Sequence, residues 1–191
     1  MQAARGTSLS DTEDPRPHQP HRIPARLLAL FAGVAVAAYA VDQVTKALAL
    51  RHLRDGDVEV LGQFLVLHLV RNPGAAFSTG TQYTFALTVL AIVAVIVVLV
   101  LVRRVGTRLW AFTLGLLLAG VAGNLTDRII RDPAPMRGHV IDMLQLPNWP
   151  VFNVADICIN VAAGLILLQA FRGIRLDGTR EKGRDESGSE S

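Results

Sequence analysis

Residues 85–102 contain no charged side chain, and with a lead-in from Tyr83 the block reaches the roughly 20 residues needed to cross a bilayer. Its β-branched content alone would also suit a buried strand, but such strands run about 4 to 8 residues. A membrane-spanning helix is therefore the expectation. Three further apolar blocks carry polar residues toward one end. These are residues 26–41 up to Asp42, residues 109–123 up to Asn124, and residues 151–171, which hold Asn153, Asp156, Asn160 and Gln169. That placement is expected of helices with one end open to a polar site. It predicts four spans, over about residues 26–46, 83–102, 108–128 and 152–172. Hydrophobic residues make up 51% of the 191, more than an ordinary soluble domain of this size carries. The first block is expected to be retained instead of leaving as a cleaved signal sequence. Three more spans follow it, and Asp42-Gln43-Val44-Thr45-Lys46 continues its helical pattern.

The formal charge of +3 sits in tails and short connectors. Arg103, Arg104 and Arg108 lie between the second and third spans, Arg172, Arg175, Arg180, Lys182 and Arg184 follow the fourth, and Arg16, Arg22 and Arg26 precede the first. By the positive-inside rule both termini and the middle loop face the cytoplasm. Without an aromatic-rich soluble domain to organise these cations, no nucleic-acid partner is expected. Lys46, Arg51, Arg54, Arg71, Arg128, Arg131 and Arg137 fall on the opposite side and need partners; Asp55, Asp57 and Glu59 are near in sequence. Residues 1–22 and 173–191 read as disordered cytoplasmic tails around one membrane domain, residues 23–172. The single cysteine, Cys158, has no internal disulfide partner and reads as a small core hydrophobe.

The outer segment over residues 54–81 has partial period-two alternation in Val58-Glu59-Val60-Leu61 and again in residues 64–70, which predicts short strands at the membrane surface. Asn72-Pro73-Gly74 ends the run with a turn. Residues 130–150 hold Pro133, Pro135, Gly138, Pro147 and Pro150 and read as a loop holding Asp142. The expected fold class is thus an all-α integral membrane protein of four transmembrane helices with a small extracytoplasmic β-rich layer. On that layout Asp42, Asn72, Asn124, Asp127, Arg128, Asp142, Asn153 and Asp156 converge on one face of the membrane.

Asp142 and Asp156 are the candidates for chemistry. A carboxylate near hydrocarbon is costly unless hydrated, paired or protonated. Two carboxyls brought together share a proton, leaving one acid and one base. Each motif also has a structural reading. Asn153 with Asp156 would make a capping box at the start of span four, although this leaves Asn160, one turn deeper, unexplained. Asn124, Asp127 and Arg128 can share one helical face. Arg128 would there anchor the helix end, pair with Asp127 or hold a backbone carbonyl of the loop carrying Asp142. Asp42 and Lys46 are an ordinary i,i+4 pair, read as structural support. Gly74 and the small residues after it would let a substrate backbone approach closely. A proton-coupled transporter would instead place such acids near the bilayer midplane.

In order, Asp42-Gln43-Val44-Thr45-Lys46, Asn72-Pro73-Gly74-Ala75-Ala76-Phe77-Ser78, Gly123-Asn124-Leu125-Thr126-Asp127-Arg128, Gly138-His139-Val140-Ile141-Asp142 and Phe152-Asn153-Val154-Ala155-Asp156 resemble the lipoprotein signal peptidases (signal peptidase II) of bacteria, over about residues 26–172. The resemblance implies a membrane aspartic endopeptidase with Asp142 and Asp156 as the catalytic pair. It implies that Asn72, Asn124, Arg128 and Asn153 line the site or hold the substrate, and that Asp42 supports the outer strand-rich layer. Gly74, Asp127 and Ala155 fall within the matching motifs as site-supporting residues. The implied substrates are prolipoproteins whose cysteine already carries diacylglycerol, cut just before that cysteine. Two departures are that Met143 replaces the usual aromatic residue and that the connector over residues 131–137 is longer and Pro-rich.

The remaining expectations follow from these. Water is activated by the aspartate pair with no cofactor, and no metal is expected because His139 is the only histidine near the site. The protein is expected as a monomer in the bacterial inner (plasma) membrane, multi-pass, its site near the outer face, with membrane lipids and diacylglyceryl-prolipoproteins as partners.

Overall fold

The computed structural model describes residues 23–74 and 83–180. Four helices long and apolar enough to cross a membrane are present among them: α1 (Ala25–His52), α2 (Thr84–Leu101, extended by one 3₁₀ turn to Arg104), α3 (Arg108–Ile130) and α4 (Val154–Phe171). The four-span expectation is met. α1 runs further than expected, to His52, because its last turns pack beneath a sheet. The expected N-terminal tail, the small residues 75–78 and residues 181–191 lie outside the described residues.

α3 is the central helix, in contact with α1, α2 and α4. Its glycines allow that closeness: a Cβ on Gly120 would sit 2.5 Å from the Ala155 carbonyl oxygen, and one on Gly123 2.5 Å from Asp42 Oδ2. Small residues at such crossings let helix backbones approach where lipid supplies no hydrophobic driving force. α2 carries the highest mean hydropathy of the four, 3.4, and the smallest buried share, as suits a helix largely surrounded by lipid. One apolar cluster, including Leu27, Phe31, Val98, Val102 and Leu114, joins α1, α2 and α3 at one end of the bundle.

At the other end β1 (Val58–Glu59), β2 (Val66–Asn72) and β3 (Val140–Gln145) form an antiparallel sheet in the order β1-β2-β3, with an irregular register between Leu67 and Val70. The expected small β-layer is therefore present at one end of the bundle. One correction concerns Asp142, which lies on β3 and not in a loop. The Pro and Gly residues bound this strand without interrupting it, and Val70 pairs with Asp142 while Asn72 pairs with Val140. Side chains alternate across a strand. Ile141 and Met143 accordingly enter an apolar cluster with Ala49 and Leu53 of α1 and the residue after it, and Asp142 faces the other way. Met143 fills its position as an apolar core residue. The Pro-rich connector folds back over α2, where Thr88 Oγ1 donates to the Met136 carbonyl at 3.0 Å.

A second correction concerns the C-terminal tail. Residues 173–180 form a turn closed by an Ile174–Arg180 bridge, and Leu176 packs against the first apolar cluster. The Leu176 carbonyl accepts from Gly106 N–H at 3.0 Å. One apolar side chain beside the tight turn at Asp177 and Gly178 orders a stretch that its polar composition assigned to disorder.

Candidate active site

The two aspartates arrive from different elements and meet through Asn153. β3 carries Asp142, 2% exposed. Its Oδ2 accepts from Asn72 Nδ2 of β2 at 2.8 Å, and its Oδ1 accepts from Asn153 Nδ2 at 2.6 Å. Asn153 caps α4 with its other end: its Oδ1 accepts from Asp156 N–H at 2.9 Å, and Asp156 Oδ2 accepts from Asn153 N–H at 3.1 Å. The capping box read as a structural alternative is thus present. It occupies only one oxygen of Asp156, since Oδ1 accepts from Asn124 Nδ2 of α3 at 2.8 Å. Capping and membership of the polar cluster are compatible. Burial raises the Asp142 carboxyl from 3.8 to about 6, with the charge of Asp156 adding to the rise and the bonds from Asn72 and Asn153 opposing it.

Behind the pair lies a buried ionic cluster. Lys46 is 0% exposed, and its Nζ contacts Asp42 Oδ2 at 2.9 Å, Asp127 Oδ2 at 2.8 Å and Asn124 Oδ1 at 3.0 Å. Arg131 Nε pairs with Asp127 Oδ1. The partners of Lys46 and Arg131 are therefore these inner acids, not the outer acids near in sequence. Asp57 pairs instead with His68 at 2.7 Å. Two carboxylates and two cations balance here. Removing one member of such a buried group costs about 3–5 kcal/mol.

Each acid of the cluster also holds backbone. Asp42 Oδ1 accepts from Ala155 N–H at 2.9 Å, and Asp127 Oδ2 accepts from Ile141 N–H at 3.2 Å. Asp42 thus holds the start of α4 directly, and through Lys46 and Asp127 it connects to Ile141 of β3. Ala155 is 0% exposed, and its backbone is what Asp42 grips. Asn72 Oδ1 accepts from Gly74 N–H at 2.8 Å, setting the turn after β2, and Gly74 has φ 111°, a conformation suited to glycine. Arg128 does not pair with Asp127. Its Nη1 reaches the Asn124 carbonyl at 3.5 Å, and its buried Nε has no hydrogen-bond partner among the described residues. All ten expected site residues therefore belong to one contiguous region at the sheet end of the bundle. Sequence reading took Lys46 only as the helix-face partner of Asp42 and gave Arg131 no place in the site. The available signal was a lysine inside an apolar helix, which requires more compensation than a single i,i+4 acid.

A family model described as signal peptidase (SPase) II matches residues 34–172. The chain belongs to the signal peptidase II family. Relatives named lipoprotein signal peptidase include one from Leifsonia xyli subsp. xyli, 47% identical over 83% of this chain and 74% of the relative. One from Mycobacterium leprae is 44% identical over 81% and 78%. One from Mycobacterium avium is 42% identical over 88% and 93%. Two solved structures, each described as a bacterial membrane enzyme, share the fold. One has a TM-score of 0.68 at 22% identity, covering 88% of this chain and 98% of the other, and the second 0.66 at 23%, covering 81% and 99%. As a signal peptidase II the chain is a membrane aspartic peptidase, and its four spans fit a multi-pass bacterial membrane protein.

Proposed function

We propose that this signal peptidase II removes signal peptides from diacylglyceryl-modified prolipoproteins, cleaving before the lipidated cysteine with Asp142 and Asp156 as its catalytic pair. The observation that carries the assignment is Asn153, whose side chain donates to the Asp142 carboxyl and accepts from Asp156 N–H while its own backbone N–H donates to the Asp156 carboxyl. One short residue ties both carboxyls to a common frame. Asp142, the buried partner with the raised affinity for a proton, starts as the acid, and Asp156 starts as the base. Asp156 takes a proton from water as the water oxygen bonds to the peptide carbonyl carbon. Asp142 donates to the carbonyl oxygen. Collapse of the tetrahedral intermediate breaks the C–N bond as Asp156 passes its proton to the leaving amine of the cysteine and a hydroxyl of the intermediate returns a proton to Asp142. The unpartnered Nε of Arg128 and the turn at Gly74 support assigning these two residues to the substrate backbone.

The Lys and Arg bias of the connectors supports cytoplasmic termini, with the site near the outer face of the inner membrane. There a lipid-anchored substrate reaches it by lateral diffusion, and a monomer holds the whole constellation. The test is purified protein in detergent with a diacylglyceryl-modified prolipoprotein and an unmodified control. Only the former should be cut, and Asp142→Asn and Asp156→Asn should each abolish cutting while remaining folded. A fully active Asp142→Asn variant refutes the assignment.

A further inference from the structure

Lys46 has no place in the proton transfers above, yet it is the only lysine among the described residues and it is completely enclosed. An ammonium has three donors and no acceptor. Here all three are committed, to Asp42, Asp127 and Asn124. Each partner leads one step further to the same destination. Asp42 holds the N–H of Ala155, the residue before Asp156, and Asp127 holds the N–H of Ile141, the residue before Asp142. Asn124 donates to Asp156 itself.

We infer that Lys46 is a positioning residue for the catalytic pair, the one group whose three bonds fix β3, the start of α4 and the Asn124 amide relative to one another. This inference rests on the aspartate-pair reading above. The sharpest consequence concerns Asn124. An amide can be turned end for end with little change in shape, and only its surroundings choose which end donates. With a donor-only ammonium against one end, that end is Oδ1, which also accepts from Asn153 Nδ2 at 3.1 Å. The Nδ2 end must then face Asp156. Without the ammonium the amide loses its strongest reason to present a donor to that carboxyl, and a displacement of this kind costs on the order of 100-fold in rate.

Lys46→Met alone strands the buried Asp42 carboxylate and confounds folding with catalysis. The informative variant is Lys46→Met combined with Asp42→Asn. It removes one charge of each sign, leaves Asp127 paired with Arg131, and keeps an oxygen at position 42 to accept from Ala155 N–H. The comparison is with Asp42→Asn alone, on the diacylglyceryl-prolipoprotein, with Asp142→Asn and Asp156→Asn assayed in parallel. The expected result is a folded double variant with KM within about threefold of Asp42→Asn and kcat lower by about 100-fold. A pH profile gives a readout that a purely structural role would not move. The charged groups around Asp142 and Asp156 are Asp42 and Lys46 of α1, and Asp127, Arg128 and Arg131 of α3 and the residue after it. Lys46 is the one whose charge opposes the rise at Asp142, so the basic limb of kcat/KM moves to higher pH when it is removed.

Three outcomes overturn the proposal: kcat within threefold of Asp42→Asn, an unmoved basic limb, or a double variant that does not fold, which would assign Lys46 to stability alone. Failure of the aspartate-pair reading is separate, since it shows as cleavage retained in Asp142→Asn or Asp156→Asn.

Discussion

Asp142→Asn should inactivate the protein and shift its stability by an amount that depends on pH. Burial, reinforced by the charge of Asp156, lifts the Asp142 carboxyl from 3.8 to about 6 against the opposing bonds from Asn72 and Asn153 and the charge of Lys46. A carboxyl that holds its proton more tightly when folded contributes stability fully present below pH 3.8. That contribution is lost as pH rises through about 6. At about 1.4 kcal/mol per pH unit, the rise corresponds to about 3 kcal/mol. Asparagine does not titrate; it keeps one acceptor but turns a donor toward the Nδ2 of Asn72 or Asn153, a penalty that does not change with pH. The variant-minus-parent unfolding free energy should therefore grow by up to about 3 kcal/mol between pH 4 and pH 7, and then level off. Groups titrating alike in both proteins cancel in the difference. The assay is thermal or denaturant unfolding of both proteins in one detergent across pH 4–8, with substrate cleavage measured on the same samples. A difference that stays constant across this range would refute the account of Asp142 as a proton-retaining buried acid, even if the variant proved inactive.

Two further perturbations test the frame around the site. Asn72→Ala removes the donor to Asp142 Oδ2, one of the forces holding that carboxyl down. The basic limb of kcat/KM should shift to higher pH and kcat should fall, both read from a pH–rate series. Gly120→Ala would place a Cβ 2.5 Å from the Ala155 carbonyl oxygen and 2.7 Å from Ile159 Cγ1. Overpacking of this kind costs about 1–3 kcal/mol, so the melting temperature should drop and activity should drop with it as the start of α4 is displaced.

The spans were legible because their signal is one-dimensional. Length and the absence of charge decide whether a segment can cross hydrocarbon, and neither depends on a neighbour. The first two strands were legible as alternation, and the turn after β2 as Asn72-Pro73-Gly74. β3 was hidden because proline and glycine crowd its flanks, and because a strand buried on both faces shows no alternation. The ordered turn over residues 173–180 was hidden because its anchor is a single leucine meeting a core assembled from other helices.

The candidate acids could be picked out from their chemistry alone, since carboxyl groups beside apolar spans demand an explanation wherever the chain later goes. What each one touches was decided only by tertiary structure. Asp42 and Lys46 carry the spacing of an ordinary helix-surface pair, and local spacing is all that a linear reading can use. Their further partners, Ala155, Asp127 and Asn124, lie far along the chain and come within reach only because Gly120 and Gly123 let α3 close on α1 and α4. Residue type thus determined which groups are expensive to bury. Packing determined how that cost is offset, because hydrogen bonds and ion pairs act over a few ångströms while sequence separation carries no distance at all.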